Sequence, residues 1–139
     1  ALALAQLRRI EELIAYKKQL FNNYEKNLGL IDGIQLNTSK LNVDPTYWIS
    51  VAILDEKYGL NKEDLCKRFE EYQIDMRPLF YPVSSMPPFQ PYVRGRIMSE
   101  ENPVTYQLSE YGVCLPNGNN LDEGDVEYIF DIFKRIILK

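Results

Sequence analysis

The sequence contains no histidine, only two cysteines, and no apolar run that approaches a membrane span. Without histidine the chain lacks the usual general base at neutral pH, the Ser-His and Cys-His nucleophile systems, and the commonest transition-metal ligand. No G-x-G-x-x-G, phosphate-binding P-loop or EF-hand spacing occurs either. Taken alone, this is poor equipment for catalysis, and no metal site is expected. Cys66 and Cys114 are far apart and form no C-x-x-C pair, which reads as reduced, partly buried thiols of a cytoplasmic protein. No signal peptide opens the sequence, so no membrane association is expected. The net charge is −4 and the basic residues are scattered, which argues against a nucleic-acid partner.

What is present fits one ordinary domain: 139 residues, 45% hydrophobic and 26% charged, enough for a real core. The stretch that stands out is Arg77-Pro78-Leu79-Phe80-Tyr81-Pro82-Val83-Ser84-Ser85-Met86-Pro87-Pro88-Phe89-Gln90-Pro91-Tyr92, which holds most of the chain's 8 prolines. Each proline fixes φ, lacks an N–H and pushes the preceding residue out of the α region. The expectation is a stiff, extended ribbon, neither helix nor central strand, displaying Phe80, Tyr81, Phe89 and Tyr92. Stiffness leaves little freedom to lose when something binds. The alternative is a proline-rich crossing loop packed on its own domain.

Along the rest of the chain, Leu7, Ile10, Leu13, Ile14, Leu20, Phe21, Tyr24 and Leu28 recur at helical spacing, predicting one helix from Ala1 to Leu28 with Gly29 as a left-handed terminator. Its opening, Ala1 to Leu7, has no N-cap and no initiator Met. We read it as the inside of a helix in a longer polypeptide, the alternative being simple removal of the Met. Ile34–Leu36, Tyr47–Leu54, Ile74–Arg77 and Val113–Leu115 read as strands, with Tyr47–Leu54 central and covered on both faces. Helices are expected at about 62–72 behind the N-cap Asn61, from Pro103 to Tyr111 on a stripe of Val104, Leu108 and Tyr111, and beyond the cap Asp122 with Asp125 at its third position. Val126, Ile129, Phe130, Phe133 and Ile137 form the inward face of the last. Residues 93–102 read as loop. The sum is an α+β domain, a small three- to four-stranded sheet packed with helices.

These blocks in this order resemble a known family. Ala1 to Leu7, Tyr16-Lys17-Lys18, Tyr47-Trp48, Ile74 to Pro87, Gly112-Val113-Cys114-Leu115-Pro116 and Asn120 to Val126 together resemble the C-terminal part of DegT-type nucleotide-sugar aminotransferases, the perosamine-synthetase-like members above all. The resemblance spans the chain, 1–139. It implies the C-terminal small domain of the aspartate-aminotransferase fold, from a cytoplasmic, homodimeric enzyme that uses pyridoxal 5'-phosphate. Such an enzyme moves an amino group, usually from glutamate, to a nucleotide-linked keto-sugar, the cofactor acting as electron sink. It also implies that the Schiff-base lysine and the phosphate-holding residues belong to a larger N-terminal domain, so this chain is expected to hold no catalytic or cofactor-binding residue and to be inactive alone. Consistent with that, Lys17, Lys18, Lys26, Lys62, Lys67, Lys134 and Lys139 all read as solvated, with none in surroundings that would lower its pKa.

The same resemblance suggests substrate-side roles within the ribbon. Arg77 would offer its fork of donors to a carboxylate or phosphate, or else make a structural ion pair at a strand end. Tyr81 would stack on a ring or donate to a sugar hydroxyl, or else pack in the core. Ser84 and Ser85 would contact substrate or cap the turn; some relatives carry histidine where Ser84 stands. From a different class, the alternative is a free-standing, non-catalytic interaction module that docks through residues 77–92.

Overall fold

A computed structural model of the chain describes residues 2–138, so the expectations resting on Ala1 and Lys139 lie outside the described residues. Helix α6 (Glu123–Ile137) begins where its capping signal places it. The Asp122 carboxylate accepts from the Asp125 N–H and the Asp125 carboxylate accepts from the Asp122 N–H, each at 3.0 Å. Two otherwise unpaired donors are satisfied reciprocally. Val126, Ile129, Ile132, Phe133, Ile136 and Ile137 then follow at spacings of three and four and are all buried. Helix α3 (Lys62–Glu70) repeats the logic: Asn61 Oδ1 accepts from the Asp64 N–H at 2.8 Å, and Leu65 and Phe69 turn inward. The Phe69 and Phe133 rings meet edge to face at 5.2 Å, locking α3 onto α6.

The sheet has four short antiparallel strands, β1 (Ile34–Leu36), β2 (Val51–Leu54), β3 (Arg77–Pro78) and β4 (Gly112–Cys114), in the order β1-β2-β4-β3. Leu36 lies opposite Ala52 and Ala52 opposite Val113, so these side chains share one face. That face, with Leu54 and Leu115, joins α2 (Ile10–Leu28), α3 and α6 in a single core. Tyr24, Leu28, Leu65, Phe69 and Phe133 are essentially sealed, each contributing roughly 1.5–3 kcal/mol of transfer free energy. The α+β class and the small sheet are as expected.

Several local expectations are corrected. The first helix is two: α1 (Leu2–Leu7) ends in a turn at Arg8 and Arg9, where the Arg9 N–H reaches Gln6 O at 3.1 Å, before α2 resumes. The Arg9 guanidinium pairs with Glu12 across the first turn of α2. Leu2, Leu4 and Leu7 lie exposed, and no α1 residue is buried. Gly29 stays right-handed at φ −63°. Strand β2 is only half as long as Tyr47–Leu54, because Tyr47 sits at φ +47° with its ring stacked on Phe21 at 3.8 Å, and the Asn37 side chain holds the Val51 N–H in place of a strand partner. β2 is central, yet Val51 and Ile53 on its second face are only half-buried. Ile74 and Met76 are core residues after a left-handed Gln73, so β3 pairs only through Arg77 and Pro78. Residues 98–101 form a short helix, α4 (Met98–Glu101), where loop was expected. In α5 (Pro103–Tyr111) Val104 is exposed and the one buried residue is Ser109.

The ribbon is not extended throughout. Val83–Ser85 and Pro87–Tyr92 form tight 3₁₀ turns. Pro82, Pro87 and Pro88 occupy the leading positions, where a helical turn needs no N–H, Pro91 lies inside the second turn, and the donors are the residues between: Ser85 N–H to Pro82 O and Phe89 N–H to Met86 O. No helix among the described residues is long and apolar enough to cross a membrane.

Candidate functional site

The ribbon leaves the sheet at its edge. β3 hydrogen-bonds to β4 on one side, and the Leu79 N–H donates to Gly112 O at 2.8 Å as the chain departs. The approach is close enough to need a glycine. A Cβ on Gly112 would lie 2.5 Å from the Leu108 carbonyl oxygen of the backbone, as well as 2.5 Å from Leu79 Cδ2 and 2.8 Å from Ile53 Cδ1.

Past Leu79 the backbone is held from below by α3 and α5. Lys62, at the first position of α3, is 3% exposed, and Ser109 in α5 is 5% exposed. Lys62 Nζ donates to Leu79 O and to Ser109 Oγ, both at 3.1 Å, and Ser109 Oγ donates onward to Phe80 O at 2.9 Å. The same ammonium lies 3.8 Å from the centroid of the Tyr81 ring. Tyr81 OH donates to Glu63 Oε1 at 3.1 Å, and that carboxylate pushes the phenol pKa above its ordinary value. Adjacent residues of α3 thus hold Tyr81 by its face and by its hydroxyl, in an arrangement neither helix nor ribbon could make alone. Phe80 stacks loosely on Trp48 at 6.4 Å, and both rings are exposed.

The four residues singled out from the sequence occupy separate settings. Arg77 sits at the sheet edge facing the groove between β3 and α3, lined also by Cys66, Glu70 and Met76. Its guanidinium donates to Asp75 at 3.0 Å, with both side chains 75% exposed. Tyr81 lies against α3, and Ser84 and Ser85 follow in the first 3₁₀ turn of the ribbon. Ser84 Oγ shares a hydrogen bond with Tyr106 OH at 3.0 Å beside a second groove carrying Arg94 and Arg96, and Ser84 O accepts from Gln90 Nε2. Ser85 Oγ donates to Pro82 O at 2.7 Å, closing its own turn.

Two lysines depart from the expectation of a solvated face. Lys62 is buried, as above. Lys17 donates to Asn117 O, and burial lowers its pKa below the ordinary value. The signal for Lys62 was in the periodicity: four back from Phe69 is Leu65 and three back from Leu65 is Lys62, which extends the inward stripe. Ser109 and Tyr106 carried no such signal, because their partners are remote in sequence. Cys66 and Cys114 are free and half-buried, with burial raising both thiol pKa values.

With this geometry in place, comparison with known proteins is decisive about lineage. The profile of the DegT/DnrJ/EryC1/StrS aminotransferase family matches residues 1–134. The chain belongs to that family. The GDP-perosamine synthase of Escherichia coli O157:H7 is 30% identical over 129 residues, covering 93% of this chain and 33% of that protein. EpsN of Bacillus subtilis (strain 168), assigned by name to the pyridoxal phosphate-dependent aminotransferases, is 28% identical over 142 aligned positions, 98% of this chain and 35% of its own length. The chain therefore spans about a third of the length of these curated relatives. Among solved structures, the aminotransferase TlmJ from Streptoalloteichus hindustanus shares the fold, with a TM-score of 0.79 at 18% identity over 96% of this chain and 34% of that one. The family resemblance read from the ribbon and its flanking blocks is borne out.

Proposed function

We propose that the protein is a pyridoxal-phosphate-dependent aminotransferase that moves an amino group from glutamate to a keto-sugar carried on a nucleotide, with this chain as its C-terminal domain. The observation that carries this reading is the family profile running through residues 1–134, supported by a GDP-perosamine synthase aligned over 93% of the chain. When bound, the cofactor would supply the electron sink for amino transfer.

Its covalent attachment does not fit the described residues. Lys62 is the one buried lysine among them, and its ammonium donates to two acceptors and lies on a ring, so it is no free nucleophile. We therefore assign the Schiff-base lysine to the part of the relatives that this chain does not span, and give the chain substrate-side and dimer contacts in a cytoplasmic homodimer. Arg77, exposed and paired with an equally exposed Asp75, would exchange that partner for a substrate carboxylate or phosphate. Tyr81 would present its free ring face to the sugar or base. Ser84 would share its hydroxyl between Tyr106 and substrate, and Ser85 would accept a hydrogen bond while its proton stays on Pro82 O.

The test is the absorbance of a bound Schiff base in the longer polypeptide that contains this chain, and its loss on adding glutamate. Absence of the band, or a band indifferent to glutamate, overturns the proposal. The isolated chain supplied with pyridoxal phosphate should show no transamination, and activity there would refute the division of labour.

A further inference from the structure

Lys62 stands where helix physics disfavours it. A positive charge in the first turn opposes the helix dipole, and a buried ammonium is costly unless its hydrogen bonds are satisfied. The two flanking acidic residues of that turn, Glu63 and Asp64, obey the rule and remain exposed, whereas Lys62 points inward. A residue that breaks a local rule and is nonetheless fully coordinated marks a position kept for another purpose. Among the described residues, each acceptor of its ammonium and the ring it lies on belong to the start of the ribbon or lead there: Leu79 O directly, Phe80 O through Ser109, and the Tyr81 ring through its face.

We infer that Lys62 is a positioning residue that clamps Leu79, Phe80 and Tyr81 in sequence, fixing the angle at which the ribbon presents Tyr81 and, beyond Pro82, Ser84 to a nucleotide-sugar. The substrate half of this inference rests on the function proposed above; the clamp itself does not. Methionine, unbranched, neutral and one atom shorter, keeps most of the packing of the methylene stem but leaves the Leu79 carbonyl and the Ser109 hydroxyl without their charged donor. Ser109→Ala removes the relay to Phe80 and one of the two acceptors of the Lys62 ammonium, but keeps its bond to Leu79 O.

Two readouts separate the claims. Chymotrypsin cuts after aromatic residues, and the Tyr81–Pro82 bond is protected by its proline, so opening of the clamp is read as cleavage between Phe80 and Tyr81. In the full-length protein, Lys62→Met should speed that cut at least about tenfold, since hydrogen bonds to a charged group are lost and cleavage follows the population of the opened segment. Ser109→Ala should speed it by a smaller factor, and Lys67→Met, on the exposed face of the same helix, should not. Cuts at core aromatics such as Phe133 should be unchanged. The nucleotide-sugar KM should rise in Lys62→Met while the glutamate half-reaction keeps its rate. Uniform acceleration at all sites would make Lys62 a general stabiliser, and no acceleration would remove the clamp; either overturns the inference. Selective cleavage with an unchanged sugar KM overturns its substrate half. If Lys62→Met fails to fold, Ser109→Ala decides by the same criteria. A wild-type protein with no transaminase activity would sink the proposed function while the cleavage pattern still reports on the clamp.

Discussion

Gly112→Ala separates packing from propensity, because the two forecast opposite signs. Gly112 has φ −91° and ψ 136°, an ordinary extended conformation open to any residue. On backbone entropy alone, alanine in a strand should stabilise by about 0.5–1 kcal/mol. The space around it says otherwise. A Cβ there would lie 2.5 Å from Leu108 O and from Leu79 Cδ2, and 2.8 Å from Ile53 Cδ1. The two side-chain ends can swing, but the Leu108 carbonyl belongs to the last turn of α5 and moves only if that turn moves. Overpacking of this kind costs about 1–3 kcal/mol, which exceeds the entropic gain. The net loss should be roughly 1–2 kcal/mol, lowering a urea midpoint by about 0.5–1 M for an m value of about 2 kcal/mol/M. Urea unfolding followed by circular dichroism measures it. A midpoint equal to or above that of the wild type would show that the β4–α5 junction relaxes freely, and the reasoning from close approach would be wrong.

Removing the reciprocal cap with Asp122→Ala should cost about 0.5–2 kcal/mol, read in the same unfolding experiment. Glu63→Gln should bring the Tyr81 phenol back down toward its ordinary pKa, because the acceptor carboxylate is what favours the neutral form; a phenolate absorbance titration in which this tyrosine ionises no earlier would contradict that contact. Cys66 and Cys114, their thiols pushed up by burial, should react with a disulfide reagent at mildly alkaline pH more slowly than a free cysteine, and at the ordinary rate once urea is added. Arg77→Ala should leave stability within about 1 kcal/mol, since its ion pair is exposed, yet raise the substrate KM of the full-length enzyme; unchanged kinetics would remove Arg77 from the site.

The sequence was most legible where structure is local. The Asp122 and Asn61 caps, the inward stripe of α6 and the strand at 34–36 follow from spacing and side-chain chemistry within a few residues, and each is found in place. It was least legible where a distant partner decides. Tyr47 ends the apolar run early because Phe21 takes its ring and Asn37 and Asn117 take the backbone groups around it, choices made across the fold. Lys62 falls on the inward stripe of α3, but what satisfies its charge there, Leu79 O and Ser109 Oγ, lies well downstream in the chain. The ribbon shows both sides: its prolines forbid a long α-helix, while the 3₁₀ turns they tolerate depend on which N–H groups remain between them.

Strand β3 is an outer strand of two residues, one of them Pro78, lying opposite Val113. Proline has no N–H to offer along that rim, and a ladder so short gives a foreign strand almost nothing to grip. The rim is thereby blunted against edge-to-edge aggregation. Any second molecule that docks on this side must meet side chains, and the first that project there are those of the proline-rich segment.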